Sequence, residues 1–263
     1  MELRHHLQRN LKRLRMPGIL LNLEMRLQEA QENELGYLEF LSLLVQDEIS
    51  NREGNNLKKR LKAAGFGQEK TFEGFDYQFN EEVFSPSVVR DLATCHFVEQ
   101  RRNLVIGGPP GIGKTHIAKA IGHEVCRRQG DVLFRSTGSL LRDLLNHSQP
   151  IRSARLLKKC LKVELLILDD FAFRKFDQKE SEMLYALADE RLGRTSTILT
   201  SNRPPQDWYA IFPDPVISNS ILDRLVSGAV KIIVTKGKSY RKEGFKVQAD
   251  MLSAVTEGLG EGL

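Results

Sequence analysis

The sequence predicts an α/β fold, a five-stranded parallel sheet between helices, preceded by a small all-helical region. Beyond about residue 70, short segments rich in Val, Ile and Leu alternate with helical stretches, as in a parallel sheet covered on both faces. Before that point, leucines recur at helical spacing instead. Of the 263 residues, 41% are hydrophobic and 28% are charged, a composition that supports a folded core.

The N-terminal region contains three helical segments. Apolar residues recur at helical spacing over 3–14, over 20–27 and over 37–49. Gly65 and Gly67 then mark a hinge. We therefore predict a helical N-terminal domain over 1–66, an α/β domain over 67–250 and a flexible, Gly-rich tail over 251–263.

Five strand candidates follow in the α/β region. They are NLVIGG, DVLFRS, ELLILDD, STILTSN and VKIIVT. Helical stretches separate them, which favours parallel rather than hairpin connections.

Composition excludes several classes of protein. No apolar run approaches the length of a membrane span, and the N-terminus lacks a secretory signal. Cys95, Cys126 and Cys160 are far apart and suit a reduced cytoplasm. We expect a cytoplasmic protein with no membrane partner. The net charge of +5 permits an anionic partner without requiring one.

A phosphate-binding loop follows the first strand candidate. Residues 108–115, GPPGIGKT, match the pattern G-x-x-x-x-G-K-[ST] in full and open a predicted helix. Backbone N–H groups of such a loop and of the helix start converge on one anion. Lys114 is expected to reach the β- and γ-phosphates and Thr115 to bind Mg²⁺. The predicted nucleotide-binding residues are Gly108, Pro109, Pro110, Gly111, Ile112, Gly113, Lys114, Thr115 and His116.

Two carboxylates end the third strand candidate, LLILDD. Asp169 is the expected partner of the Mg²⁺ held by Thr115. Asp170 is placed to polarise the attacking water. The side chain of Asp is one methylene shorter than that of Glu, so its reach to this water is shorter, which favours slow turnover without a partner. His116 is interpreted as a packing residue at the edge of the loop.

Later polar residues complete the series. Asn202 ends the fourth strand candidate, where its amide can hydrogen-bond the γ-phosphate or the lytic water. Arg224 lies on a predicted helix before the last strand, and Arg241 opens a final helix.

GPPGIGKT, LLILDD, LTSN, SILDRL and SYRKE, in this order, resemble an AAA+ ATPase of the IstB/DnaC-like group. The flanking stretches FEGFDYQFN, LATCHFVEQ and SNRPPQDWYAIFPD are similar to those of IstB-type insertion-sequence transposition helpers. The resemblance covers about residues 70 to 245, and it implies an AAA+ P-loop domain with ATP and Mg²⁺ as cofactors. In place of a full helical lid, this chain has only a short C-terminal segment within 67–250.

The resemblance also implies a role for each motif residue. Lys114 and Thr115 are the Walker A pair, and Asp169 is the Walker B metal carboxylate. Asp170 takes the catalytic acid position and Asn202 that of sensor 1. Arg224 resembles an arginine finger for a neighbouring subunit, and Arg241 resembles sensor 2. Hydrolysis of ATP to ADP and phosphate is then expected to depend on assembly.

The implied partners are duplex DNA, a cognate transposase and further copies of the chain in a ring or helix. Phosphate contacts would make DNA binding largely independent of sequence. Hydrolysis would drive release after target DNA is delivered. Two alternatives stay open: a DnaC-like helicase loader, and a nucleotide-gated DNA-binding scaffold with little hydrolysis. A small-molecule kinase would not explain Arg224, Arg241 and Asn202 together. The candidate DNA contacts are basic clusters in residues 1–15, at Arg152, Arg155, Lys158 and Lys159, at Arg174 and Lys175, and at Lys236, Lys238, Arg241 and Lys242.

Overall fold

The computed structural model describes residues 2–79, 84–237, 239 and 240. Lys238, Arg241, Lys242 and the predicted tail over 251–263 lie outside them. The chain divides into two compact units, Met1–Arg60 and Leu61–Leu263. In the described part of the chain, no helix is both long and apolar enough to cross a membrane.

The first unit is helical. It contains α1 (Glu2–Arg13), α2 (Pro17–Glu32) and most of α3 (Tyr37–Ala64). Pro17 starts α2, where its missing N–H costs nothing, and the buried carboxylate of Glu48 accepts the Gly18 N–H at 2.7 Å. The third helix continues past 49 to Ala64, because NREGNNLKKRLKAA contains many good helix formers. The small core consists of Leu11, Ile19, Leu23 and Leu44.

The second unit is built on the predicted five-stranded parallel sheet. Its strands are β1 (Leu104–Gly107), β2 (Val132–Ser136), β3 (Leu165–Asp169), β4 (Ser196–Ser201) and β5 (Val230–Ile233). Their order is β2-β3-β4-β1-β5, and every neighbouring pair is parallel. The central strands β1, β3 and β4 are buried along their whole length, which explains their continuous apolar runs.

Helices cover both faces of this sheet. They are α4 (Pro86–Ala93), α5 (His96–Glu99), α6 (Lys114–Arg127), α7 (Thr137–Leu144), α8 (Pro150–Lys162), α9 (Gln178–Arg191) and α10 (Pro215–Val226), with a 3-10 helix over Pro205–Ile211. On one face, Leu166 and Leu168 belong to a core shared with α7 to α10. On the other, the Ile167 side chain approaches Gly122 of α6.

A buried arginine ties this core together. The Arg191 guanidinium donates to the carbonyls of Cys160, Val163 and Ser196 and to the Thr197 hydroxyl. Burial lowers the pKa of Arg191 to about 10. All four acceptors are neutral, so the charge is satisfied by dipoles at the ends of α8 and β4.

Because the strands are parallel, their carboxyl ends meet at one edge of the sheet. β3 lies beside β4, and β4 lies beside β1. The topology therefore brings the loop after Gly107, the carboxylate of Asp169 and the residues after Ser201 to the same place. In open α/β sheets, this edge is where ligands bind.

Candidate nucleotide-binding site

A cavity of about 440 Å³ opens at the carboxyl ends of the strands. Its lining includes the phosphate loop and α6 start over 110–116, and Asp169, Asp170 and Asn202 from the strand ends. Residues from the stretch 68–79 and Tyr240 complete the lining. Most of the residues predicted to act on a nucleotide therefore share one cavity.

The phosphate loop requires glycine for its geometry. Gly113, at φ 103°, is the residue before the first turn of α6, and no described side chain caps that turn. The N–H groups of the turn are therefore available to an anion. Gly108, at φ 152°, passes so close to β5 that a Cβ would lie 2.8 Å from the Val234 side chain. Both residues have a positive φ and lie so close to neighbouring side chains that a Cβ would crowd them, so glycine suits both positions.

Lys114 lies across the mouth of this loop and is 6% exposed. Its ammonium donates to the Gly108 carbonyl at 2.8 Å and to the Pro109 carbonyl at 2.7 Å. It also donates to Asn202 Oδ1 at 2.8 Å. These three acceptors are neutral oxygens. The predicted Walker A lysine and the predicted sensor 1 amide thus touch each other at the end of two adjacent strands.

Thr115 and Asp169 also meet. The Thr115 hydroxyl donates to Asp169 Oδ1 at 2.9 Å, and the carboxylate is 8% exposed. A hydroxyl and a carboxylate at one point match the oxygen ligands that Mg²⁺ takes, with phosphate oxygens and water supplying the rest. No cluster of three or more His, Cys, Asp or Glu ligands occurs within the described ranges. The hydroxyl of Thr115 beside the carboxylate of Asp169 fits Mg²⁺ brought by a nucleotide.

Thr200 on β4 connects the two acidic residues. Its buried hydroxyl donates to Asp169 Oδ1 and accepts the Asp170 N–H at 3.2 Å. Asp170 itself is exposed, lines the cavity and has φ 53°. Asp and Asn tolerate this left-handed conformation better than other side chains with a Cβ. The turn after β3 thus gives a backbone reason for the shorter acid at this position.

Aromatic side chains also line the cavity. The Phe75 ring packs edge-on against His116, with centroids 5.2 Å apart, and Phe79 packs edge-on against Tyr240 at 4.9 Å. His116 Nε2 donates to the Thr71 carbonyl at 2.8 Å, and burial lowers the pKa of this imidazole. His116 thus lines the cavity and contacts the 71–79 stretch through Thr71 and Phe75.

The two arginines are placed differently. Arg224 lies on α10 and is not among the residues that line the cavity. Its Nε donates to Asp189 Oδ1 at 2.7 Å on the neighbouring helix α9. Arg241 lies outside the described residues, although Tyr240 before it reaches the cavity and donates its N–H to the Gly111 carbonyl at 3.1 Å.

A family model described as IstB-like ATP binding protein matches residues 9–248. The match spans most of the 263 residues and includes every motif that borders the cavity. The chain belongs to this family. Its membership confirms the resemblance predicted from GPPGIGKT, LLILDD and the motifs that follow them.

The chain is also similar to insertion-sequence proteins of several bacteria. An ATP-binding protein in an insertion sequence of Mycobacterium tuberculosis is 39% identical over 236 residues, 89% of this chain and 93% of the relative. The ATP-binding protein of insertion sequence IS21 from Pseudomonas aeruginosa is 36% identical over 237 residues, 90% of this chain and 89% of the relative. The similarity therefore spans nearly the whole length of both relatives.

Solved structures share the fold of this IstB-like chain at lower identity. The crystal structure of DnaI has a TM-score of 0.54 and 21% identity, over 68% of this chain and 94% of that chain. AMPPCP-bound DnaA from Aquifex aeolicus has a TM-score of 0.54 and 20% identity, over 72% of this chain and 57% of that chain. At these identities the likeness shows the fold alone, and it confirms the predicted α/β fold with a five-stranded parallel sheet.

Some residues of the site were missed in the sequence. Thr200 stands two positions before Asn202 in LTSN, and the alternation of side chains along a strand could have indicated that both face one side. Phe75 and Phe79 lie in FEGFDYQF, which carried family resemblance but no assigned contact. No local pattern marks Asp189 as a partner of Arg224, because the two are 35 residues apart.

Proposed function

We propose that this protein is an ATPase that binds duplex DNA with ATP, assembles there, and delivers the DNA to a partner transposase. Hydrolysis to ADP and phosphate drives release. The observation that carries this proposal is the convergence of Lys114, Asn202 and the Thr115–Asp169 pair in one cavity at the strand ends. A lysine, an amide and a hydroxyl–carboxylate pair are the groups that bind a triphosphate with its Mg²⁺.

Each side chain has a defined task in this proposal. The N–H groups of the phosphate loop and α6 bind the phosphates, and Lys114 exchanges its loop carbonyls for phosphate oxygens. Thr115 and Asp169 would hold Mg²⁺, which would supply positive charge to offset that of the phosphates. Asp170, exposed at the cavity, orients and polarises the attacking water, and Asn202 holds the γ-phosphate or that water.

The DNA component rests on charge and on the family. The candidate contacts on α8 are exposed at Arg152, Arg155 and Lys158, which recur every three residues and so share a side of the helix. Such a row suits backbone phosphates rather than base edges. Relatives named for insertion sequences favour a transposase as the second partner.

The test is the size of the protein on duplex DNA with ATP and with ADP. Multi-subunit complexes should form with ATP and duplex, and Lys114→Ala and Arg224→Ala should both prevent them. Binding should weaken steeply with salt, because phosphate contacts release counterions. A monomer that ignores nucleotide and DNA would contradict the proposal. Complexes on single strands alone would indicate helicase loading instead.

A further inference from the structure

The contacts around Arg224 assign a role to two neighbouring residues of α9. We propose that Asp189 and Tyr185 are positioning residues, which hold the Arg224 guanidinium in the orientation that receives the γ-phosphate bound by a second copy of the chain. This inference rests on the proposed function, since it takes the cavity as an ATP site and Arg224 as acting between subunits. It adds that contacts within one chain fix the orientation of Arg224 before the second copy binds.

The guanidinium is fixed on several sides by its own chain. Nε donates to Asp189 Oδ1 at 2.7 Å, Nη2 donates to the Tyr185 hydroxyl at 3.2 Å, and Nη1 donates to the Ser220 carbonyl at 3.0 Å. The Tyr185 ring also lies beneath the guanidinium, 4.7 Å from its centroid. These contacts come from two helices that share an apolar core, so the side chain is held by rigid elements.

The bonding leaves donors for a ligand. A guanidinium has five N–H groups. The bonds within the described part of the chain use one on each nitrogen, so one N–H on each terminal nitrogen stays available. Two N–H groups side by side suit the oxygens of a phosphate. Asp189 and Tyr185 therefore orient the arginine without using the donors that a phosphate needs.

Stability alone does not account for this arrangement. The Arg224 side chain is 23% exposed and that of Asp189 is 48% exposed, and ion pairs so accessible to water add little to folding. The apolar contacts between α9 and α10 already join the two helices. Holding a long side chain in one orientation instead lowers the entropy lost when a phosphate binds it. Because Arg224 does not line its own cavity, that phosphate belongs to another copy.

Subunit mixing on duplex DNA tests the inference. An Asp170→Asn subunit keeps Arg224 but has an inactive site, and an Arg224→Ala subunit keeps its site but lacks the arginine. Each alone should hydrolyse ATP slowly, and the mixture should recover activity at sites where the two meet. Adding Asp189→Asn to the Asp170→Asn subunit should lower the recovered kcat about tenfold with little change in KM. Tyr185→Phe, which keeps the ring and removes the hydroxyl, should lower it by about threefold.

The matched control places the same changes in the other subunit. In the Arg224→Ala subunit there is no arginine to orient, so Asp189→Asn and Tyr185→Phe should leave the recovered rate unchanged. Equal losses in both subunits would indicate a structural role and overturn the inference. So would an unchanged or increased rate with Asp189→Asn in the arginine-bearing subunit. The mixture of Asp170→Asn and Arg224→Ala subunits, without changes at Asp189 or Tyr185, is the reference. If it recovers no activity, the action of Arg224 between subunits is refuted, and with it that part of the proposed function.

Discussion

The strand-end cavity and the α9–α10 surface each present a cation, and they hold it in opposite ways. In the cavity, Lys114 is nearly buried and donates to two carbonyls and an amide. On the helical surface, Arg224 is partly exposed and donates to the carboxylate of Asp189. The first cation lines the cavity together with Asn202, and the second is not among the residues that line it.

The difference teaches what each cation is suited to do. The Lys114 ammonium already lies among cavity residues and the phosphate-loop carbonyls, so a triphosphate entering the cavity can bring phosphate oxygens to it in place of those carbonyls. Asp189 offsets part of the charge of Arg224 and restricts the motion of its guanidinium, which keeps N–H groups on its terminal nitrogens for a phosphate. We therefore expect Lys114 to determine nucleotide affinity within one chain and Arg224 to determine the rate of hydrolysis between chains.

The largest effect is expected for Arg224→Ala, which should lower the rate of ATP hydrolysis but not the affinity for nucleotide. Hydrolysis on duplex DNA should fall at least about 10³-fold, the lower end of what an arginine supplied in trans contributes. The affinity of dilute protein for a fluorescent ATP analogue should stay within about twofold, because Arg224 does not line its own cavity. Phosphate release and fluorescence titration measure the two quantities. Arg194→Ala, which removes an exposed arginine paired with Glu190, is the matched control and should change neither. If Arg224→Ala also lost affinity for the ATP analogue, Arg224 would contribute to nucleotide binding in its own chain, contrary to the role proposed for it.

Lys114→Ala should affect binding itself. Hydrogen bonds to charged groups contribute about 1.5–3 kcal/mol, so ATP affinity should fall by about 100-fold. Isothermal titration of the isolated chain measures it, and thermal unfolding without nucleotide checks that the fold persists. Lys158→Ala, an exposed lysine on α8, should keep full affinity. Retention of affinity in Lys114→Ala would show that the loop N–H groups suffice.

The cavity was more predictable from sequence than the surface. The phosphate loop, Asp169 and Asn202 sit at the ends of strands whose apolar runs are visible in the sequence. A parallel sheet brings such ends together by topology alone. Lys114 and Asn202 therefore meet even though 88 residues separate them.

The surface around Arg224 depends instead on how two helices pack. Asp189 and Tyr185 lie one turn apart on α9, but which face of α9 meets α10 depends on the tertiary core, not on a motif. The left-handed turn at Asp170 was hidden for a related reason, because a single aspartate after a strand does not reveal its φ. Sequence thus predicts residues fixed by strand topology, and it misses those fixed by side-chain packing.

Thr200→Val tests whether the Thr200 hydroxyl orients Asp169 in the cavity. Valine keeps the shape of threonine but cannot donate to Asp169 or accept the Asp170 N–H. Loss of a hydrogen bond of about 1 kcal/mol or more should raise the Mg²⁺ concentration needed for ATP binding about five- to tenfold. ATP-analogue binding should be measured across a Mg²⁺ titration and in EDTA, where the variant should match the unmodified protein. Thr200→Ser should restore the Mg²⁺ response. An equal loss in EDTA would assign Thr200 to nucleotide binding or folding rather than to orienting Asp169.

The smallest expected effect concerns folding rather than the site. His123 lies on α6 with its ring stacked on Phe66, and burial lowers the pKa of the imidazole. Below the ordinary histidine value of about 6.5, the unfolded chain takes up a proton that the folded chain resists. Stability is therefore present at neutral pH and decreases as the pH falls. His123→Phe, which keeps the stacking, should reduce the loss of stability between about pH 7.5 and pH 5 by up to about 1 kcal/mol in urea unfolding. His96→Gln, which removes an exposed histidine, should leave this loss of stability unchanged.

The ATP affinity of His123→Phe at neutral pH should equal that of the unmodified protein, because His123 is about two turns from Thr115. A change in ATP affinity would mean that the packing of His123 against Phe66 also affects the phosphate-binding site.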